Sequence, residues 1–195
     1  MGTTSSNTLV EKKGFYFNTL NGLLYTGSTT DFFTNGVISA TKSYKNGKQN
    51  GKAICYWRNT KINWRGCYKN GDLNGVWEWF QEDGNLIKKQ NYKNGQRDGL
   101  WEQFYPTKTL KSKGYYQDDE RTGLWEWFNN CGDLERRQNY KKGEADGIWE
   151  WYDKNGGIEK NEVWRDKKQN GVWEWYDKNG KIEKKETYKD GIKMD

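Results

Sequence analysis

Short alternations of apolar and polar residues run through most of this chain, and each stops at a glycine or an Asn-Gly pair after roughly ten to twelve residues. Period-two alternation rich in Trp, Tyr, Val and Ile is the pattern of a half-buried strand. Interruptions this frequent exclude long helices. Gly171 to Tyr176 reads Gly-Val-Trp-Glu-Trp-Tyr and is the clearest first strand; Ile182 to Tyr188 is the strand that answers it. Between them, Asp177-Lys178-Asn179-Gly180 supplies the positive φ angles that a tight hairpin requires.

The alternation is itself periodic. Gly27, Gly51, Gly75, Gly99, Gly123, Gly147 and Gly171 are spaced by 24 residues. With each glycine as position 0, position 5 is always aromatic (Phe32, Tyr56, Phe80, Phe104, Phe128, Tyr152, Tyr176). Position 11 is always aliphatic and position 17 always aromatic. A fixed period of this length marks a repeat architecture, in which each unit is one supersecondary element. The predicted fold is all-β: tandem β-hairpin repeats forming an elongated, twisted, meandering antiparallel sheet of about fourteen strands, roughly 65 Å long. The repeats are 27–50, 51–74, 75–98, 99–122, 123–146, 147–170 and 171–195. Residues 1–13 are expected to be a flexible N-terminal segment, and 14–26 to hold a capping strand.

A register follows from the spacing. With a tight turn, facing positions sum to seventeen, so position 4 faces position 13. Where position 4 is Trp, position 13 is basic: Trp79 with Lys88, Trp127 with Arg136, Trp151 with Lys160, Trp175 with Lys184. Where it is not Trp, position 13 is not basic, as for Asp31 with Ala40 and Gln103 with Ser112. Position 3 would face position 14, pairing Glu78 with Lys89, Glu102 with Lys113, Glu126 with Arg137 and Glu174 with Lys185. Opposite charges across strands contribute about 0.2–1 kcal/mol each. The same register places both Trp positions, position 11 and position 17 on one face, and positions 1 and 5 on the other.

Composition sharpens this picture. The 195 residues carry a net charge of +6, with 12 Trp and 13 Tyr. Aromatic side chains bury about 150–250 Å² each, enough to order a chain poor in aliphatic residues. No apolar run approaches the roughly 20 residues of a membrane helix. The N-terminus has no charged-then-apolar leader pattern. These features predict a soluble, cytoplasmic protein. Histidine is absent, which removes the imidazole general base and the commonest metal ligand. No catalytic residue, metal site or cofactor is expected. In this register Cys55 and Cys67 point to opposite faces, and Cys131 lies about three repeats away, roughly 25–30 Å. No intrachain disulfide is expected, since one needs Cα atoms within about 7 Å.

The unit Tyr-x-x-Gly-x-x-x-Gly-x-Trp, as in Tyr92, Gly95, Gly99 and Trp101, resembles the bacterial variant of the MORN repeat. The resemblance covers roughly residues 20–191. Asp119 and Lys167 depart from it, standing where turn glycines belong, and the first two units are degenerate. The resemblance implies a binding module. Many bacterial members resemble antitoxins or immunity proteins, and eukaryotic relatives serve as scaffolds, some linked to membranes or phospholipids.

The Trp–Lys/Arg ladder is the candidate partner-binding surface: Trp79, Lys88, Trp127, Arg136, Trp151, Lys160, Trp175 and Lys184. Rings offer contact area, and a cation over Trp contributes about 0.5–2 kcal/mol. The competing reading is structural, since a single-layer sheet must shield its own aromatics with neighbouring rings and Lys stems. A protein partner, such as a toxin, is expected first, and an anionic membrane surface or phospholipid second. Nucleic acid is disfavoured because 27 acidic residues are interspersed with the bases. No small-molecule substrate is expected, because nothing interrupts the repeat to build a pocket.

Overall fold

A computed structural model describes residues 3–4 and 8–194. The chain divides into two compact units, Met1–Gln96 and Arg97–Asp195. Both are all-β, with no α-helix among the described residues.

In the first unit, β4 (Gly27–Phe32), β5 (Ile38–Lys45), β6 (Lys48–Tyr56), β7 (Ile62–Lys69), β8 (Asp72–Phe80) and β9 (Leu86–Lys93) pair in chain order, all antiparallel. The second unit repeats the scheme. Its strands are β10 (Gln96–Phe104), β11 (Leu110–Gln117), β12 (Glu120–Phe128), β13 (Leu134–Lys141), β14 (Glu144–Tyr152) and β15 (Ile158–Arg165). They continue through β16 (Lys168–Gln169), β17 (Gly171–Tyr176), β18 (Ile182–Lys189) and β19 (Ile192–Met194).

The register is the one the charge pattern predicts. Trp79 faces Lys88, Trp127 faces Arg136, Trp151 faces Lys160 and Trp175 faces Lys184. It arises from two compensating irregularities, however. The hairpin turn is a three-residue loop: Asn129 N–H donates to the Asp133 carbonyl, and Gly132 N–H donates back to Asn129. A loop of this kind closes on a residue in the left-handed region, here Gly132 at φ 96°. It shifts the pairing by one, so Phe128 faces Leu134. A β-bulge at Glu135 then restores the predicted register at Trp127–Arg136. Every hairpin does the same, with the extra residue at position 12.

That bulge corrects one face assignment. Position 11, expected beside the tryptophans, pairs with position 5 and therefore shares the opposite face, as Leu86 with Phe80 and Ile182 with Tyr176 show. Ile38 and Ile182 stand 42% and 44% exposed there, whereas Trp77 and Trp125 on the other face are each 3% exposed. The tryptophan face, not the aliphatic one, carries the core.

The turns between hairpins are two-residue loops with both φ angles positive. Asn70-Gly71 adopts 54° and 100°, and Asn94-Gly95 adopts 50° and 84°. This mirror-image turn matches strand twist and favours Asn-Gly. Asp118-Asp119 and Asp166-Lys167 hold the same conformation without glycine, at 49° and 67°, and at 45° and 60°.

The 24-residue glycine also has a defined task. Between hairpins the register slips by two residues opposite it, from Gln138↔Trp149 to Tyr140↔Ala145 around Gly147. Gly147 takes φ 108°, and Gly51, Gly75 and Gly123 take 106°, 75° and 64° at equivalent slips. A residue with a Cβ is strained in that region, and glycine is not. The period of the sequence is the period of this bulge.

The N-terminal stretch departs from expectation. Leu9–Lys12, assigned to a flexible segment, forms β2, which pairs with β3 (Phe15–Asn18). The expected capping strand does not pair with β4; a short β1 (Thr3–Thr4) runs parallel to β4 instead. Residues 16–25 fold over the Asn46-Gly47 turn, where Tyr16 N–H donates to the Gly47 carbonyl and the Tyr16 ring meets Tyr44 at 5.0 Å.

Candidate functional site

The tryptophan face is built from positions 2, 4, 13, 15 and 17, and the two Trp positions differ in kind. Of the position-2 indoles, Trp77, Trp125 and Trp173 are buried in the core. In the second unit the position-2 rings alternate with position-17 aromatics: Trp101–Tyr116 at 4.9 Å, Tyr116–Trp125 at 5.0 Å, Trp149–Trp164 at 5.4 Å and Trp164–Trp173 at 5.3 Å. In the first unit Trp77 meets the position-17 ring of Tyr68 at 4.9 Å and stacks at 5.4 Å on Trp64, which stands at position 13. Four of the position-2 indoles donate Nε1–H to the carbonyl ten residues upstream: Trp77 to Cys67, Trp125 to Tyr115, Trp149 to Asn139 and Trp173 to Val163. Those carbonyls lie at the two-residue slip, so the indoles tie the two strands together where the ladder is irregular.

Position-4 indoles sit further out. Trp79, Trp127, Trp151 and Trp175 are all half-buried. Each stacks obliquely on the position-2 ring of its own strand, as Trp127 does on Trp125 at 5.9 Å. Cations lie over three of them, Trp127, Trp151 and Trp175. The Arg136 guanidinium lies 4.5 Å from the Trp127 centroid. Lys160 Nζ lies 5.1 Å from Trp151 and 5.2 Å from Trp175, and Lys184 Nζ lies 4.4 Å from Trp175. The register places Arg136 between Trp127 and Trp151, and Lys160 between Trp151 and Trp175. The second unit therefore holds six of the predicted residues as one interleaved row. Trp79 and Lys88 belong to the first unit, where Lys88 is exposed.

Sequence reasoning missed two further sets on this face. Arg97 lies 4.2 Å from the Tyr116 ring and 5.7 Å from Trp101. Arg121 lies 4.6 Å from Trp125, 5.3 Å from Tyr140 and 5.8 Å from Trp127. Both stand two residues before the repeat glycine, outside the strand pattern that was read. The second set is position 15, which faces the position-2 indoles. Gln90, Gln138 and Glu162 are each 4% exposed. The position-17 residue donates to them: Tyr140 to Gln138 at 3.0 Å, Trp164 Nε1 to Glu162 at 2.9 Å and Tyr188 to Glu186 at 2.7 Å. Lys160 closes an ion pair on Glu162, and Lys184 and Lys193 close on Glu186. Hydrogen bonds from Lys193, Tyr188 and Lys184 hold the Glu186 carboxyl down at about 2. At positions 66 and 114 the residue is glycine, and the indoles of Trp77 and Trp125 fill the space a Cβ would need.

The opposite face carries the ion-pair ladder. Its partners are mostly in the next hairpin: Arg65–Glu78, Lys113–Glu126 and Arg137–Glu150 cross between hairpins, whereas Lys185–Glu174 stays within one. Arg137 also lies over the Tyr152 ring at 5.6 Å. Burial and the hydrogen bond to Glu150 push the Tyr152 hydroxyl up to about 12. These carboxylates are engaged in structure. Cys55, Cys67 and Cys131 carry no disulfide, and burial pushes the Cys55 thiol up. Among the described residues no group of acidic, Cys or His side chains could hold a metal ion.

Fold and face together define a tandem β-hairpin repeat protein. Within it, residues 73–94, 97–118, 145–164 and 169–190 match the MORN repeat variant. Each match begins two residues before a repeat glycine and ends near the next two-residue turn. The hairpins of repeats 27–50, 51–74 and 123–146 share the register but lie outside the matched segments. No curated protein matches the chain. MORN repeats are commonly involved in protein or lipid binding. Among the described residues no helix is long and apolar enough to cross a membrane.

Proposed function

We propose that this chain is a non-enzymatic binding protein that docks a partner protein on its Trp–cation face and masks it, as a cytoplasmic antitoxin or immunity protein does. One observation supports this above the others. Position-2 indoles are engaged by the core and by backbone carbonyls, but the position-4 indoles remain half-buried beneath cationic side chains. Half-exposed Trp with adjacent Arg is the composition of interface hot spots. Glu78, Glu126, Glu150 and Glu174 on the other face are held in ion pairs, and histidine is absent, which favours binding over acid–base catalysis.

The test is capture from the native host with the intact chain as bait, repeated with Trp127→Ala and Trp151→Ala. One stoichiometric protein, lost with either variant, supports the reading. Full retention by both variants sinks the site assignment. A second reading, a scaffold on an anionic membrane surface, draws on the +6 charge. Vesicle co-sedimentation that disappears at high salt would favour it.

A further inference from the structure

Repeat 123–146 is unlike its neighbours on the tryptophan face. Elsewhere in the second unit the chain supplies a carboxylate to each cation there. Lys160 has Glu162 and Lys184 has Glu186, both from position 15 of the same strand. Arg97 has Asp119: the Arg97 N–H and Nε each donate to Asp119 Oδ1 at 2.9 Å, and the guanidinium donates to its carbonyl at 2.7 Å.

Both supplies fail at repeat 123–146. Position 15 is Gln138, so Arg136 has no glutamate beside it. The residue that answers Arg121 is Gly143. The equivalence is structural, because Asp119 N–H donates to the Arg97 carbonyl at 3.0 Å and Gly143 N–H donates to the Arg121 carbonyl at 2.9 Å. Gly143 has no side chain to offer. Among the described residues neither Arg121 nor Arg136 forms an ion pair. Asp118 and Glu120 line a shallow depression with Arg121 without pairing to it. Both guanidiniums lie over the half-buried Trp127, at 5.8 and 4.5 Å from its centroid. Arg121 further donates to the Tyr140 hydroxyl at 3.4 Å. Lys88 also has a glutamine, Gln90, at position 15, but Leu73 stands where Arg121 does, so no second cation joins it.

We propose that Arg121, Trp127 and Arg136 form the recognition centre of the face, and that it takes carboxylate side chains from an acidic segment of the partner protein. The inference rests on the binding reading above and names its chemistry. The chain itself supplies the template: at equivalent positions this face is completed by Glu162, Glu186 and Asp119. An external Asp or Glu would bring to the two guanidiniums the negative charge that Gln138 and Gly143 do not supply. A guanidinium fork receives a carboxylate bidentately, and the neighbouring indole excludes water from the pair. That Arg121 and Arg136 both lie between the matched segments 97–118 and 145–164 fits a specialised stretch within a general scaffold.

The test uses the intact chain and a fluorescein-labelled octapeptide of alternating Glu and Ser, with a Gln-Ser peptide as control. Binding of the first only, weakening with salt, is expected. Arg121→Gln and Arg136→Gln should each weaken it roughly tenfold, the loss of one charge-assisted hydrogen bond. Lys185→Gln, on the opposite face, should leave it unchanged. The decisive variant is Gln138→Glu, which supplies the carboxylate internally. It should fold, because Glu162 occupies the equivalent buried site, and it should weaken peptide binding to a similar degree. No preference for the Glu peptide, undiminished binding by Gln138→Glu, or stronger binding of phosphatidylserine vesicles or a phosphoserine peptide overturns the proposal. If Trp127→Ala abolishes capture of a partner while the arginine variants and Gln138→Glu retain it, the binding face stands and this centre falls.

Discussion

The indole N–H of Trp125 donates to the backbone carbonyl of Tyr115 at 3.0 Å. The two residues are on adjacent strands, at the point where the ladder slips by two residues opposite Gly123. The indole thus bridges the two strands where their ladder is irregular. Trp77, Trp149 and Trp173 reach Cys67, Asn139 and Val163 in the same way. The glycine and the Trp two residues later act as one device: one makes the slip, the other ties across it.

Trp125→Phe therefore removes a part-buried hydrogen bond across the slip and should destabilise the protein by about 0.5–1.5 kcal/mol. Trp127→Phe, whose indole has no such task, should cost markedly less. Urea unfolding of both variants measures the difference, and equal losses would contradict the division between the two Trp positions.

Glycines of two kinds should respond differently. Gly123 sits at φ 64° with open space where a Cβ would go. Gly123→Ala should cost about 1–2 kcal/mol from backbone conformation alone, and Gly123→Asn should recover much of it. Gly114 has no positive φ, but a Cβ there would enter the Trp125 indole. Gly114→Ala and Gly114→Asn should both destabilise, with a shift in tryptophan emission that the Gly123 variants lack.

The two turns without glycine invite opposite outcomes. Lys167 adopts φ 60°, and its side chain reaches only an exposed ion pair with Glu144. Lys167→Gly should raise the unfolding midpoint. Asp119 adopts φ 67° but accepts hydrogen bonds from Arg97, so Asp119→Gly trades strain for lost bonds and should not raise the midpoint. Thermal melts of the pair decide the matter.

Glu186 links stability to acid pH. Its folded carboxyl is held at about 2 against an ordinary 4.5. A group with a depressed folded value contributes in full above its unfolded value. The contribution fades as pH falls from about 4.5 towards 2. A carboxyl-carbon NMR titration should show the low midpoint, and Lys193→Ala should raise it. A midpoint at the ordinary value in the intact chain would refute the Lys193–Glu186–Lys184 cluster.

The amino-acid order determined a great deal here by itself. A strict glycine period, Asn-Gly pairs and alternating aromatics specify hairpins, because backbone sterics and period-two burial act locally. Covariation of Trp79, Trp127, Trp151 and Trp175 with Lys88, Arg136, Lys160 and Lys184 carried the register, because these residues face one another directly. What only the tertiary structure decided concerns contacts with no local signature. The three-residue loop and the bulge at position 12 cancel in the register, so the sequence pattern is blind to both, yet together they turn Leu86 and its equivalents to the opposite face. The ion pairs cross to the next hairpin because position 14 lies between two glutamates, and side-chain reach selects one. Arg97 and Arg121 join the tryptophan face through loops docked from 22 residues away, a separation that no strand periodicity encodes. Trp77, Trp125 and Trp173 at position 2 are buried whereas the position-4 indoles are half-buried, a difference equally absent from the sequence, because it depends on which indole reaches the carbonyl of the adjacent strand.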